Sequence, residues 1–344
     1  MKKTPIVSII VLNYNGKKYL ANCLGSITNS TFNNYEVILV DNASKDGSAD
    51  FVRRRFPSIK VIQTEKNLGF PEGNNIGARY ATGTYLIFLN NDTEVTPNWL
   101  EQMVKSIEAN PSAGVCGSKV LLLDKKNVID VIGGFMCDIF GYGLNALGHL
   151  EKDNNQYDGE KEVFSIVGAS LLIKRKVFEE IGGFDSSYFL LGEDIDLSWR
   201  AQLAGYKVIV DPLAIVYHKS MGTIKNKQNQ KERAELRFLS ERNTLRSLLK
   251  NYDQLTLFKV LPCYFMLLVF EIGFFLAAKK AHLAFADIRS VAWNIRSFRE
   301  TWLLHEAVQL FRVVDDDTIQ KRMISQSLKV RNFGSLFKNF MREK

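Results

Sequence analysis

Four clusters in this sequence carry side chains that can do chemistry. In Val40-Asp41-Asn42-Ala43-Ser44-Lys45-Asp46-Gly47-Ser48 a carboxylate, Asp41, ends an apolar run. It accepts hydrogen bonds only, which suits the imide N–H of uracil or thymine, or a ribose hydroxyl; an Asx turn or helix cap uses the same residues. In Asn67-Leu68-Gly69-Phe70 with Gly73-Asn74-Asn75 and Gly77, small residues let backbone approach a ligand and N–H groups favour anions. The spacing is that of neither GxGxxG nor a P-loop. In Leu89-Asn90-Asn91-Asp92, Asp92 either offers a carboxylate to a hard divalent cation completed by diphosphate oxygens, or caps a strand end. In Glu193-Asp194-Ile195-Asp196-Leu197, crowded acids raise one another's pKa and can position a general base, although an acidic helix start also offsets the helix dipole. His218 follows downstream; a single histidine reads first as structural.

The elements that must position these residues alternate. Apolar runs at Ile6–Leu12, Glu36–Val40, Ile59–Gln63 and Tyr85–Leu89 read as strands. Helical spacing is expected at Tyr19–Ser30, Asp50–Phe56, Asn74–Ala81 and Pro97–Ala109, the last with Pro97 in its first turn. The alternation predicts an α/β domain with a largely parallel sheet, and such sheets bind ligands beyond the carboxyl ends of their strands. Further strands are expected over 113–123, 163–174, Lys207–Asp211 and Ala214–Tyr217, and a helix over Leu197–Ala204. Gly133–Gly159 is Gly-rich and aperiodic, and reads as a functional or mobile loop.

The 344 residues are 46% hydrophobic and 24% charged, which excludes a disordered or collagen-like chain. Four scattered cysteines without CxxC spacing argue against a zinc ribbon or a secreted disulfide framework, and for a reducing compartment. The basic start lacks a small-residue cleavage site after its apolar run, so a signal peptide is not expected. The net charge of +8 is unevenly spread: residues 221–344 hold 22 basic and 12 acidic side chains, whereas residues 1–220 hold 23 and 25. A polar, lysine-rich linker at Gly222–Lys231 separates the two parts, giving expected domains of 1–224 and 225–344. In the second, Arg233–Tyr252 is amphipathic and Val260–Ala278 has the length of a membrane span, interrupted by Pro262 and Glu271. A span, an in-plane amphipathic assembly on an anionic membrane and a buried helix are all open; basic flanks on both sides favour the in-plane arrangement. Nucleic acid is not an expected partner, because no base-stacking module accompanies the charge.

Taken together, the clusters resemble the family 2 glycosyltransferases of GT-A fold. VSIIVLNYNG (Val7–Gly16), VDNASKDGS (Val40–Ser48), NLGFPEGNNIGA (Asn67–Ala78) and LNND (Leu89–Asp92) occur in the family's order. The long segment Gly168–Tyr206 and VYH (Val216–His218) complete the pattern, which covers roughly residues 5–220. The likeness is greatest to the non-processive subgroup that includes rhamnosyltransferases. It implies a GT-A nucleotide-diphospho-sugar transferase domain; the charge and amphipathic pattern beyond residue 225 adds an expected helical, membrane-associated region, on the cytoplasmic face of the cell membrane.

The resemblance implies inverting transfer of one sugar from a UDP- or dTDP-linked donor to a glycan or polyprenyl-linked acceptor. Asp194 matches the catalytic base. Asn13, Asp41, Asn67, Gly69, Asn74, Asn90 and Asn91 fall on the nucleotide-sugar side, and Asp92 and His218 match the holders of Mg²⁺ or Mn²⁺. Glu193, Gln156 and Tyr157 fall on the acceptor side, with Glu193 and Asp196 orienting the loop and capping the helix. Asn90 stands where the family usually has the first Asp of Asp-x-Asp, which removes one negative charge. Gln230 and Arg233 echo the QxxRW of processive relatives, but Ala234 replaces the Trp, so a single transfer per encounter is expected. A sugar nucleotidyltransferase and a catalytically silent scaffold of a glycan assembly complex are the alternatives. The first would need a Gly-rich loop with a basic pair, which Asn13-Tyr14-Asn15-Gly16 is not.

Overall fold

The computed structural model describes residues 4–159, 161–219 and 229–331, leaving aside the side chains of 144 and 145. It divides into two units, Met1–Phe135 with Asn145–Ser220, and Met136–Leu144 with Met221–Lys344.

The first unit is built on four parallel strands in the order β3 (Lys60–Gln63), β2 (Tyr35–Asp41), β1 (Val7–Asn13) and β4 (Tyr85–Asn90). Val7, Ile9, Ile10 and Val11 are fully buried, as a strand covered on both faces requires. Helices α1 (Lys17–Thr28), α2 (Ser48–Arg55) and α3 (Gly69–Tyr80) connect these strands. β5 (Thr93–Val95), α4 (Trp99–Ala109), β6 (Ala113–Leu122), β7 (Lys125–Cys137), β8 (Gly143–Leu147) and β9 (Lys161–Glu162) follow. The unit ends with β10 (Ser170–Lys174), α5 (Arg175–Glu180), α6 (Glu193–Leu203) and β11 (Lys207–His218). β10 lies antiparallel between β4 and β6, and β11 runs parallel to β6 and antiparallel to β5. The register sets Asn13 opposite Asp41 and Leu12 opposite Asn90, so three carboxyl ends are aligned where sequence reasoning expected a ligand.

The structure departs from expectation in several places. α3 begins at Gly69, five residues before Asn74, so the Asn/Gly cluster lies largely within a helix. α4 begins at Trp99 after Asn98, leaving Pro97 ahead of the helix. The strand expected over 163–174 is reduced to Ser170–Lys174, and the two short strands after Lys207 are one, with a register shift between Asp211 and Ile215 around Pro212. The stretch 133–159 is not a plain loop: it holds the end of β7 and all of β8. Most of the linker expected at Gly222–Lys231 lies outside the described residues.

The second unit contains α7 (Gln230–Asn251), α8 (Gln254–Ala277), α9 (Ala281–Arg296), α10 (Phe298–Phe311) and α11 (Asp316–Gln320). Asn229 and Glu232 form a reciprocal capping box on α7, and Asp253 caps α8 by accepting from the Thr256 N–H. Met136–Leu144 belongs to this unit, where Asp138 accepts backbone N–H bonds from Phe140, Tyr142 and Leu328.

Candidate active site

The turn after β4 and the end of β11 bring Asp92 and His218 together. His218 pairs with Thr93 across β11 and β5, and Lys219 N–H donates to the Asp92 carbonyl at 3.1 Å. This backbone frame sets His218 Nε2 3.2 Å from Asp92 Oδ1 and 3.5 Å from Asn90 Nδ2. The other ring nitrogen, Nδ1, lies 3.4 Å from Asp130 Oδ2 on β7. Burial works against a charged imidazole, but hydrogen bonds to Asp130 and Asp92 and their negative charges outweigh it, raising the His218 pKa from 6.5 to about 9. Asp130 was not a sequence candidate; it lies 88 residues from His218 on a strand with no recognisable pattern.

Among the described residues, no group of three or more His, Cys, Asp or Glu side chains is arranged to hold a metal by itself. Asp92 and His218 nevertheless fit Mg²⁺ or Mn²⁺, provided that Nε2 gives up its proton to the incoming ion. One carboxylate and one imidazole converge, and a hard cation of this kind commonly completes its shell with substrate phosphates and water. Asp130 touches the far side of the ring and orients it, as outer-shell carboxylates do for metal-binding histidines.

The expected nucleotide side is a hydrogen-bonded lattice. Asn13 Nδ2 donates to Asp41 Oδ1 and to Ser44 Oγ, each at 3.1 Å, and its Oδ1 accepts from Asn91 Nδ2 at 2.6 Å. Asp41 is only 1% exposed, with Gln63 Nε2 at 3.4 Å from its second oxygen. Asn67 and Gly69 serve the backbone: Asn67 Oδ1 accepts from Gly69 N–H at 2.9 Å and from Asn42 Nδ2 at 3.0 Å. Asn74 donates to the Phe70 carbonyl, while its buried Oδ1 has no hydrogen-bond partner. Asn13, Asp41, Asn90, Asn91 and Asp92 are thus neighbours, whereas Asn67 and Gly69 shape the start of α3.

Asp194 and Glu193 open α6 after Gly192, whose φ of +84° places it in the left-handed region. Phe189 and Leu191 just before it also have positive φ, at 63° and 73°, an uncommon conformation for bulky residues. The Asp194 oxygens accept from Ile195 N–H at 2.8 Å and Gly168 N–H at 3.2 Å. The adjacent Ala169 carbonyl accepts from Asn90 N–H at 3.2 Å, so Gly168-Ala169 ties the acid helix to the Asn-Asn-Asp turn. Burial raises the Asp194 pKa against these backbone donors; burial and then the Asp194 charge push Glu193 to about 8. One Glu193 oxygen is buried without a partner. Asp196 is engaged elsewhere, fully buried at 2.7 Å from Arg200.

Gln156 and Tyr157 sit on a turn that satisfies itself. Gln156 Nε2 donates to the Lys152 carbonyl at 2.8 Å, and Tyr157 OH donates to Glu151 at 2.9 Å. The turn is anchored by the buried Lys119, 2.7 Å from Asp158 and 3.1 Å from Asp153. No contact described for Gln156 or Tyr157 reaches Asp194, Asp92 or His218.

Comparison with known proteins bears on this arrangement. The model of Glycosyl transferase family 2 matches residues 8–182. Over 234 residues the chain is 29% identical to the O-antigen biosynthesis protein RfbC of Myxococcus xanthus, a match covering 64% of this chain but only 18% of that protein. It is 25% identical over 240 residues to the N-acetylglucosaminyl-diphospho-decaprenol L-rhamnosyltransferase of Mycobacterium tuberculosis, covering 64% and 78%. Among solved structures, the mannosyltransferase PcManGT of Pyrobaculum calidifontis, in complex with GDP-Man and Mn²⁺, aligns with a TM-score of 0.52 at 16% identity, covering 90% of this chain and 86% of that one. GalNAc-T7 with UDP, GalNAc and Mn²⁺ aligns at 0.58 and 18% identity, covering 74% and 49%. The structural likenesses establish a GT-A-like fold, and the family match spans the aligned strand ends and the Asn-Asn-Asp turn. With acids, amides and a histidine gathered there, the chain belongs to glycosyl transferase family 2, enzymes that transfer a sugar from a nucleotide sugar.

Proposed function

We propose that this enzyme inverts the anomeric centre and moves one sugar per encounter from a UDP- or dTDP-sugar to a hydroxyl of a glycan or polyprenyl-linked acceptor at the cytoplasmic face of the cell membrane. The observation that carries the reading is the Gly168-Ala169 link, which joins the carboxylate of Asp194 to the turn holding Asp92. Asp194 takes the acceptor hydroxyl's proton while that oxygen forms its bond to the anomeric carbon. The bond to the diphosphate breaks on the opposite face, and the nucleoside diphosphate leaves with the electron pair. Backbone N–H groups fix the direction of the Asp194 oxygens, and burial raises its pKa, which strengthens it as a proton acceptor. Glu193, at about 8, keeps a proton at pH 7 and so adds no second negative charge beside Asp194. Asp92 and His218 would hold a divalent cation, whose positive charge would offset that of the departing diphosphate. The buried Asp41 and its Asn13 partner offer acceptors and donors to the base or ribose. Ala234 on α7, in place of the Trp of processive relatives, supports single transfer. The lipid-linked acceptor is supported by the name of the mycobacterial relative.

The test is a panel of UDP-, dTDP- and GDP-sugars scored by nucleoside diphosphate release, with and without Mg²⁺ or Mn²⁺. Asp194→Asn is expected to lose ~10²–10⁴-fold in turnover with donor binding retained. Equal turnover by metal-free enzyme removes Asp92 and His218 from their assigned role. Wild-type protein inert towards every donor favours the scaffold alternative.

A further inference from the structure

The long apolar helix of the second unit has two unlike sides. Leu257, Val260, Tyr264, Leu268, Glu271 and Phe275, three or four residues apart, are buried. Leu255, Phe258, Met266, Val269, Phe270 and Leu276 fall on the other side and are exposed, Phe258 by 83%. An amphipathic helix in water is expected to turn polar residues outward. α8 instead presents large apolar ones, and α9 and α10 do likewise with Phe285, Ile288, Ile295, Leu303 and Leu310, the last 89% exposed.

We infer that this apolar surface of α8, α9 and α10 seats the protein in the interface of an anionic bilayer, the helices lying in the membrane plane without crossing it. By length and composition α8 could cross a membrane. Its buried side argues against that arrangement. Glu271 Oε2 lies 2.9 Å from Arg237 Nη2 and 2.5 Å from Lys329 Nζ, and Arg237 reaches Asp287 on α9 at 2.7 Å. A crossing α8 would carry these charges, and the basic residues of α7, into hydrocarbon. The exposed side fits a negatively charged surface. Exposed Lys259 follows Phe258, Arg296 follows Ile295 and Arg299 follows Phe298, and exposed Lys279-Lys280 lies just beyond Leu276, while Arg289 after Ile288 is held by Glu235 at 3.3 Å. An exposed apolar surface for the headgroup boundary, bordered by cations for lipid phosphate, is the pattern of in-plane membrane helices. Two copies of this chain meeting there would oppose like charges.

Cys263 makes the inference measurable: it is exposed on α8, whereas Cys23, Cys116 and Cys137 are buried. The full-length protein is labelled at Cys263 with an environment-sensitive fluorophore and mixed with phosphatidylcholine vesicles, with or without phosphatidylglycerol. The emission is expected to shift to the blue, and the protein to sediment, only with the anionic vesicles, and alkaline carbonate is expected to strip it off. The double variant K279E/K280E is expected to weaken binding by roughly 30-fold or more, at about a kcal/mol per cation. Phe258→Asp with Val269→Asp is expected to abolish it; both side chains are exposed, and a far-UV spectrum checks folding. Should the aspartate variant unfold, the lysine pair decides alone. The inference is overturned if wild-type protein ignores anionic vesicles, if it binds neutral ones equally, or if it resists carbonate as a spanning helix would. A wild-type dimer that Phe258→Asp dissociates also overturns it.

Discussion

Asp130 Oδ2 lies 3.4 Å from His218 Nδ1, on the side of the ring away from Asp92. The contact fixes the ring's orientation and leaves Nε2 directed at the Asp92 carboxylate. Replacing Asp130 with Asn keeps the shape but removes the charge that stabilises the Nδ1 proton. Mn²⁺ affinity in the presence of nucleoside diphosphate is expected to fall ~10–100-fold, the range for losing an outer-shell carboxylate behind a metal-binding histidine. Electron paramagnetic resonance of free Mn²⁺ measures it without reference to turnover. Unchanged affinity would mean that Asp130 only packs against the ring.

Glu193 supplies a pH dependence with a definite sign. Burial, then the Asp194 charge, raise its pKa from 4.5 to about 8. The native state therefore binds its proton more tightly than the unfolded chain does. Stability from this group is complete below about pH 4.5 and falls as pH climbs towards 8. Glu193→Gln removes the ionisation, so the variant's denaturation midpoint is expected to exceed the wild type's by more at pH 8 than at pH 5. Parallel midpoints at the two pH values would show that Glu193 is better solvated than its unpartnered oxygen indicates.

Gly69 and Phe189 join the nucleotide side to the acid side. Gly69 has φ +80°, and a Cβ there would stand 2.5 Å from the Phe189 carbonyl oxygen; the next residue, Phe70, donates its N–H to that oxygen at 2.8 Å. Gly69→Ala must both enter the left-handed region and push back the strained loop before Glu193. The expected loss is about 2–3 kcal/mol of unfolding free energy, read from urea denaturation. A loss below half a kcal/mol would show that the loop yields freely.

The legibility of this protein in its sequence follows the reach of each signal. β1, β2 and β4 are continuous Val/Ile/Leu runs ending in polar residues, so strand ends and site acids could be read together. The expected start of α3 at Asn74 falls five residues short because GFPEGNN has poor helix propensity. Tertiary packing overrides that: a Cβ at Gly73 or Gly77 would stand 2.4 Å from Leu12 or Ile10, so the glycines let the helix lie close on β1. The two strands expected at Lys207–Asp211 and Ala214–Tyr217 are one, because an irregularity between Asp211 and Ile215 carries β11 through. Asp130 and the membership of Met136–Leu144 in the helical unit were invisible because both depend on partners about a hundred residues or more away.

Arg237 provides the last prediction. In the helical unit it lies 2.7 Å from Asp287, 2.9 Å from Glu271 and 3.1 Å from Glu241, while Lys329 lies 2.9 Å from Glu241 and 2.5 Å from Glu271. Two cations thus serve three largely buried carboxylates. Removing either cation leaves negative charge uncompensated, whereas removing one acid balances the set. Arg237→Met is expected to cost about 3–5 kcal/mol, as breaking a buried ion pair does. Adding Glu271→Leu to that variant is expected to restore part of the loss, since one of the acids left uncompensated is removed and Lys329 then serves Glu241 alone. Chemical denaturation of the single and double variants, arranged as a thermodynamic cycle, gives the coupling. Strict additivity would show that Arg237 and Glu271 do not act through each other, and that their contact does not hold α8 to α7.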